Sequence, residues 1–502
     1  MTPDMAGADI RLSDDEFRSL DPATGDEIDR FRIHDERAVQ TRVDRARSTS
    51  AWWQHQGATG RAEHLRRWRT WIWRHADEVV DLLHRENGKP RDDAFIEVVL
   101  TVEHMRWAEE NAARALTPPK SGPGLLFANY TTSVEYVPLG VVGIISPWNY
   151  PLYAPNSSVS FALAAGNTVV LKPSEYTPAV AAWYVEGFYR ANPHAPLGIV
   201  GLTTGFGETG ALLCNSGVDK IGFTGSTRTG KKIMEQCART LTPVLLECGG
   251  KDPVVVAEDA DLRAAARAIA WGAFSNAGQT CVGVERVYVV GGVRDKFLTE
   301  LRRQLEQVRP GSGDDATYGP MTMPAQIEVV RRHIDAAVKD GGQLLLGGPE
   351  SVGERYIEPV VILDTAEESD AVREETFGPT VTVRTVSDVD AAVKLANASD
   401  FALGASVFSR RRGVEIAEQL RAGQVSINSV VAFAGMGAVP MGGVGESGFG
   451  RVHGVDGMRE FVRTRSVVRQ RFSLPGFELI ALRRKAHVLP ILRRVLGLRH
   501  GR

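Results

Sequence analysis

Six short apolar runs follow one another between residues 141 and 257: VVGIIS, TVVLK, GIVGL, KIGFTG, PVLLE and PVVVA. None alternates polar with apolar, and helix-like segments separate most of them. Runs of that kind are buried on both faces, as parallel strands are when helices cover the sheet, so a doubly wound α/β sheet is expected. The pattern resumes after residue 281 with RVYVV, a helix-like stretch at about 294–308, then VTVRTV, ASVFS and QVSIN. A second α/β unit is expected there, with Gly249-Gly250 as a hinge between the halves. Ahead of both, Leu65, Trp68, Ile72, Val79, Leu82 and Leu83 recur at helical spacing until Asn87-Gly88 and Pro90 end the pattern.

A chain of 502 residues has room for two or three domains, and 43% hydrophobic with 24% charged residues is an ordinary globular mixture. The net charge of −2 gives no reason to expect nucleic acid. No apolar run is long enough to span a bilayer. Four cysteines without a paired framework, and an N-terminal segment without an apolar core, predict a cytoplasmic setting. No cluster suggests a metal.

Chemistry concentrates at a few turns. Glu247 in LLECGGKDP and Cys281 in NAGQTCVGVER stand 34 residues apart, each beside glycines that let backbone approach closely. A thiol with a carboxylate base near it is equipped for covalent catalysis through a thioester. Cys214 and Cys237 read as small core residues. Ile221-Gly222-Phe223 runs into Thr224-Gly225-Ser226 and Gly230 ahead of KKIMEQCAR, so amides at a helix start are placed to hold a pyrophosphate. The turn lacks the G-x-G-x-x-G spacing and alone does not define a nucleotide site. Lys172 ends the strand TVVLK and Glu175 follows it, where ribose hydroxyls would lie, and a carboxylate there repels a 2′-phosphate. In Ser146-Pro147-Trp148-Asn149-Tyr150 the Asn149 amide is a donor suited to a developing oxyanion.

Taken together, SPWNYP, LKPSE, GFTGSTRTG, LLECGGKDP, SNAGQTC, EETFGP and PMGGVGESGFGR occur in one order and at one spacing. By these motifs the chain resembles the aldehyde dehydrogenase superfamily from about residue 21 to about 448. The resemblance implies a Rossmann-like cofactor domain at 1–119 and 139–248, a catalytic domain at 249–458, and oligomerisation strands at 120–138 and 459–472 that build a homodimer or homotetramer. It implies oxidation of an aldehyde to its acid, with Cys281 as nucleophile, Glu247 as the base that hydrolyses the thioester, and Asn149 with the Cys281 N–H as oxyanion hole. Ser146, Trp148, Lys172, Glu175, Gly225, Ser226, Glu375 and Phe377 fall at cofactor positions. Glu175 makes NAD the expected cofactor over NADP.

Departures from the family pattern are few. Cys248 stands where leucine is usual and is expected to pack, the alternative being a disulfide with Cys281. Met441 and Gly445 replace a common phenylalanine and lysine. The substrate tunnel implied by the resemblance is lined by Tyr150, Tyr153, Ser157, Ser275 and Thr280, with Phe433 at its mouth. Serines at 157 and 275 widen it, and no arginine lies near 157 to hold a distal carboxylate. A medium- or long-chain or aromatic apolar aldehyde is therefore expected, with succinate semialdehyde as the alternative. The presence of Glu247 argues against transfer of the acyl group to coenzyme A, and retention of Cys281, Glu247 and Asn149 argues against a non-catalytic relative.

The tail at 473–502 is unusual. From Arg463 onward eleven Lys or Arg face one acid, Glu478, and the last residues interleave Leu, Ile and Val with arginines. An amphipathic helix, broken or kinked at Pro490, is expected to contact a membrane surface or to pack on a subunit.

Overall fold

The computed structural model describes residues 10–119, 121–313, 315–476 and 479–501. Glu478 and the first nine residues lie outside the described residues. The chain divides into two units: one runs to Ala115 and from Pro138 to Phe461, and the other holds 116–137 and the chain from Val462 onward.

In the larger unit, Asp35 opens helix Glu36–His55 by accepting from the Ala38 N–H at 2.8 Å. Val39, Val43, Ala46, Ser50 and Trp53 then recur on its buried face. The single helical pattern expected from Leu65 to Leu83 is broken at His75 into helices Gly57–Arg74 and Ala76–Asn87. Neither Gly nor Pro marks the break. The His75 ring stacks on Trp71 with centroids 4.4 Å apart, and its Nδ1 meets the Trp71 carbonyl at 2.8 Å, in competition with the helix ladder. Gly88 ends the second helix at φ 87°, and a Cβ there would stand 2.8 Å from Pro320, so both handedness and space demand glycine.

The six-stranded sheet runs Gly448–Phe449, Val244–Glu247, Lys220–Thr224, Val141–Ile145, Thr168–Lys172, Val200–Leu202. All neighbours are parallel except the first pair. From Val141–Ile145 the chain steps outward on one side, then crosses to build the other. The strand order thus reverses beside Val141–Ile145, and the carboxyl ends near it frame the crevice where such sheets take ligands. A seven-stranded sheet follows in the order Gln343–Leu346, Val360–Leu363, Thr380–Val386, Val284–Val290, Asp252–Val256, Gly404–Phe408, Gln424–Ile427. It is parallel but for Gln343–Leu346. Residues 248–251 join the two sheets directly.

Helix Pro178–Ala191 is capped from afar. Its own Thr177 makes no side-chain cap. Instead the fully buried Glu86 accepts from the Ala179 and Val180 N–H groups at 2.8 Å each and from Ser19 Oγ. Burial pushes its carboxyl up to about 7 against these donors. Glu86→Ala strands three buried donors, so a loss of about 3 kcal/mol or more in unfolding free energy is expected in urea titration. A change under about 1 kcal/mol would show that water replaces the carboxylate.

In the smaller unit, strands Tyr130–Pro138 and Val462–Gln470 pair. The tail expectation needs correction at two points. Among the described residues of the tail only Val488–His500 is helical, and Pro490 neither breaks nor ends it. Pro490 is the third residue, in the first turn, where a missing N–H removes no helix bond.

Candidate active site

Four carboxyl ends of the six-stranded sheet carry the anticipated groups: Ser146 follows Ile145, Lys172 and Glu247 end their strands, and Gly225 follows Thr224. Lys172 Nζ lies 3.6 Å from Glu175 Oε2, and burial lowers the lysine pKa while Glu175 opposes the shift. The Gly225 N–H donates to the Glu247 carbonyl at 3.0 Å. Ser226 caps helix Thr227–Ala238, its Oγ accepting from the Thr229 N–H at 3.3 Å, so the helix start faces the crevice end of the sheet.

Glu247 is nearly buried. Thr224 Oγ1 donates to Oε2 at a long 3.5 Å, while Oε1 has no hydrogen-bond partner. Burial raises its pKa to about 7, opposed by the Thr224 hydroxyl and the Arg451 charge. Next to it, Gly249 and Gly250 thread a narrow gap. A Cβ on Gly249 would collide with the Glu375 carboxylate, and one on Gly250 with the Cys281 carbonyl. The Gly250 N–H donates to Glu375 Oε1 at 3.0 Å. Glu375 is raised to about 8, first by burial and then by Glu285.

Cys281 follows a left-handed stretch, with φ of 51°, 56° and 70° at Asn276, Ala277 and Gly278. This backbone brings Gly278 against the Gly378 carbonyl, where no Cβ fits, and so joins the cysteine loop to the Glu375–Phe377 loop. Burial pushes the Cys281 thiol up, and the charges of Glu247, Glu375 and Asp252 push the same way. A protonated resting thiol follows. Cys248 is in the apolar cluster with Phe223 and Leu246, and all four cysteines are free thiols, so the packing expectation for Cys248 matches its place.

Asn149 and the cysteine loop are tied together. Asn149 Nδ2 donates to the Gln279 carbonyl at 2.9 Å, one of its two amide hydrogens, and Asn276 Nδ2 donates to the Asn149 carbonyl at 3.1 Å. Tyr150 Oη meets Thr280 Oγ1 at 2.9 Å. Trp148 and Phe377 lie edge to face, centroids 5.6 Å apart. Tyr153 donates to the Ala434 carbonyl beside Phe433, whereas Ser157 Oγ turns back to the Ala154 carbonyl at 2.6 Å. Ser275 ends helix Leu262–Phe274. Ser157 lies one turn after Tyr153 in helix Tyr153–Ala165, and among the described residues no side-chain hydrogen bond joins Ser157 or Ser275 to the other expected tunnel residues.

Two buried ion pairs escaped the sequence reading. Lys89 Nζ donates to Glu97 Oε2 at 2.5 Å and to the Asn149 carbonyl at 2.9 Å, and it sits 4.1 Å above the Tyr150 ring. Glu97 Oε1 accepts from the Leu152 and Tyr153 N–H groups at 2.9 and 3.0 Å. The pair therefore grips the Asn149 turn at both ends. Lys251 pairs with Glu285, which accepts from the Thr376 and Phe377 N–H groups and fixes the loop carrying Glu375. Also unforeseen, His104 and His453 meet edge to face at 4.2 Å beside Tyr153, both buried and held neutral by burial.

The two largely parallel sheets are those of an α/β oxidoreductase fold, and residues 10–467 match the family model for the aldehyde dehydrogenase family. The chain belongs to that family. It is 34% identical to the putative succinate-semialdehyde dehydrogenase [NADP(+)] 2 of Mycobacterium tuberculosis, over 99% of this chain and 96% of that protein. It is 35% identical to the 4,4'-diapolycopene aldehyde oxidase of a Methylomonas species, over 91% of this chain and 86% of the other. Among solved structures, the NAD-dependent aldehyde dehydrogenase from Sinorhizobium meliloti superposes with a TM-score of 0.87 at 32% identity, over 91% of each chain. The NADP-dependent glyceraldehyde-3-phosphate dehydrogenase from Bacillus halodurans, complexed with NADP, gives 0.86 at 31%, over 91% of this chain and 96% of that one. A pyridine nucleotide is thereby supported as cofactor, with relatives of both kinds.

Proposed function

We propose that this protein oxidises an apolar aldehyde to its carboxylic acid with NAD, through a thiohemiacetal and then a thioester on Cys281. The observation that carries this is the buried Glu247 carboxylate, with one oxygen unpartnered and a pKa near 7, coupled by charge to the Cys281 thiol. A carboxylate near half-ionisation at neutral pH can take a proton from water and so suits hydrolysis of the thioester, while the Cys281 proton leaves to solvent as Sγ adds to the aldehyde carbonyl. Asn149 Nδ2 and the Cys281 N–H stabilise the oxyanion as Sγ adds to the carbonyl. The chemistry supplied by a bound nicotinamide is acceptance of hydride from the tetrahedral carbon. Glu247 then takes a proton from water, which attacks the thioester and frees the acid.

The residues fit that nucleotide. Ser226 and the start of its helix, with Gly225, suit the pyrophosphate, and Lys172 with Glu175 suit the adenosine ribose. Glu375 would suit the nicotinamide ribose, and Trp148, Phe377 and Ser146 would hold the ring. NADP is the second reading, favoured by the mycobacterial relative's name, with Lys172 as the cation for a 2′-phosphate. Residues 1–119 and 139–248 serve as cofactor domain, 249–458 as catalytic domain, and the strands within 120–138 and 459–472 as the assembly element of a homodimer or homotetramer.

Tyr150, Tyr153, Ser157, Ser275, Thr280 and Phe433 line the substrate passage in this reading. Small side chains at 157 and 275, and a relative named for diapolycopene aldehyde, support a hydrophobic chain. Succinate semialdehyde is the alternative. Initial rates with NAD and NADP across unbranched aldehydes, benzaldehyde and succinate semialdehyde test all of this. We expect kcat/KM to climb a few-fold per methylene, given ~0.8 kcal/mol for each one buried. A maximum at succinate semialdehyde overturns the apolar reading, and a higher kcat/KM with NADP overturns the role given to Glu175.

A further inference from the structure

Helix Val488–His500 lays out two surfaces. Val488, Leu492 and Leu496 form one apolar stripe, Val488 buried and the two leucines half-buried. Around it the apolar character continues into solvent: Leu489 and Leu498 are 62% and 77% exposed, and Ile491 and Val495 are exposed as well. Arg493 and Arg494 flank this apolar arc on its two sides at helical spacing. Just upstream, Ile480 and Leu482 also stand open to solvent beside Arg483, Arg484 and Lys485. From residue 479 to 501 there are six Lys or Arg and no Asp or Glu. Although the whole chain is nearly neutral at −2, this segment is strongly cationic.

We propose that residues 479–501 dock on the surface of an anionic lipid bilayer, the helix lying in the interface with Ile491, Val495 and Leu498 among the acyl chains. Charge decides the occupant. A second copy of the segment would bring six cations against six, whereas anionic headgroups neutralise them and the bilayer takes the leucines. Among the described residues no helix is long and apolar enough to cross a membrane, so the contact is peripheral. Pro490 is harmless to such a helix because it sits in the first turn. A surface-bound enzyme would meet lipid-derived aldehydes where they partition, but the docking itself does not depend on the catalytic reading.

Sedimentation of the full-length protein with sucrose-loaded vesicles tests it. With phosphatidylcholine containing 30–50% phosphatidylglycerol, binding is expected, and it should fall at least tenfold with phosphatidylcholine alone or in ~0.5 M NaCl. Ile491→Glu with Leu498→Glu, and separately Arg493→Ser with Arg494→Ser, should each weaken binding at least tenfold while leaving melting temperature and sedimentation velocity unchanged. Wild-type protein that stays in the supernatant with anionic vesicles overturns the proposal. So does a smaller assembly for either variant without lipid, which would make the helix a subunit contact. Binding that neither variant weakens also overturns it.

Discussion

Glu247→Gln protein mixed rapidly with excess NAD and aldehyde is expected to release a burst of NADH and then stall. The amide keeps the shape and much of the burial of the carboxylate but cannot take a proton from water, so the thioester accumulates. General-base catalysis typically supplies a factor of ~10² to 10⁴, and steady turnover should drop by that order. Burial has raised Glu247 to about 7, so the deprotonated base is lost as pH falls through that value. The wild-type rate should rise with pH along a limb centred near 7, and that limb should vanish in Glu247→Gln. Undiminished steady turnover, or an unchanged limb, would sink the assignment of Glu247 as base.

Lys89→Met is expected to be the most damaging substitution away from the reacting atoms. It leaves Glu97 charged and buried, and breaking a buried pair from one side typically costs ~3 to 5 kcal/mol. It also frees the Asn149 carbonyl and the Tyr150 ring from their shared cation. Chemical denaturation should register the stability loss. In whatever fraction stays folded, kcat should fall more than KM rises, because the Asn149 amide serves the transition state rather than binding. Adding Glu97→Gln removes the stranded charge and should restore part of the stability but not the rate. Equal loss of both parameters in the single variant, with no recovery in the double, would mean that Lys89 acts on the fold alone.

Much of the architecture was readable because it is written in contiguous residues. Doubly buried strands are unbroken apolar runs, so every strand predicted from 141 onward is present, with ends moved by a residue or two. Motifs such as LLECGGKDP and SNAGQTC carry their chemistry locally, and the family they resemble is the family to which the chain belongs. What escaped depends on contacts that sequence order hides. Lys89, in the segment that ends a helical pattern, and Glu97 look like two surface charges until the turn after Val141–Ile145 folds over them. Glu86 appears to be one more surface acid, yet it caps a helix some 90 residues away. The break at His75 depends on its ring settling on Trp71, for which no turn residue gives notice. Pro490 was misread because the start of the helix, which decides whether a proline is tolerated, is set by packing rather than by pattern.

Gly448 holds register with Glu247, and Phe449 with Leu246, so the strand carrying the carboxylate receives its outer neighbour from residues made about 200 positions later. Closing so long a loop is an entropic cost that local contacts cannot offset early. On the ribosome the thiol and carboxylate segments emerge long before that edge is paired. A chain stopped short of residue 449 therefore lacks the edge strand that pairs with the Glu247 strand. On the proposed roles, truncated products of synthesis are therefore expected to lack an ordered deacylating base.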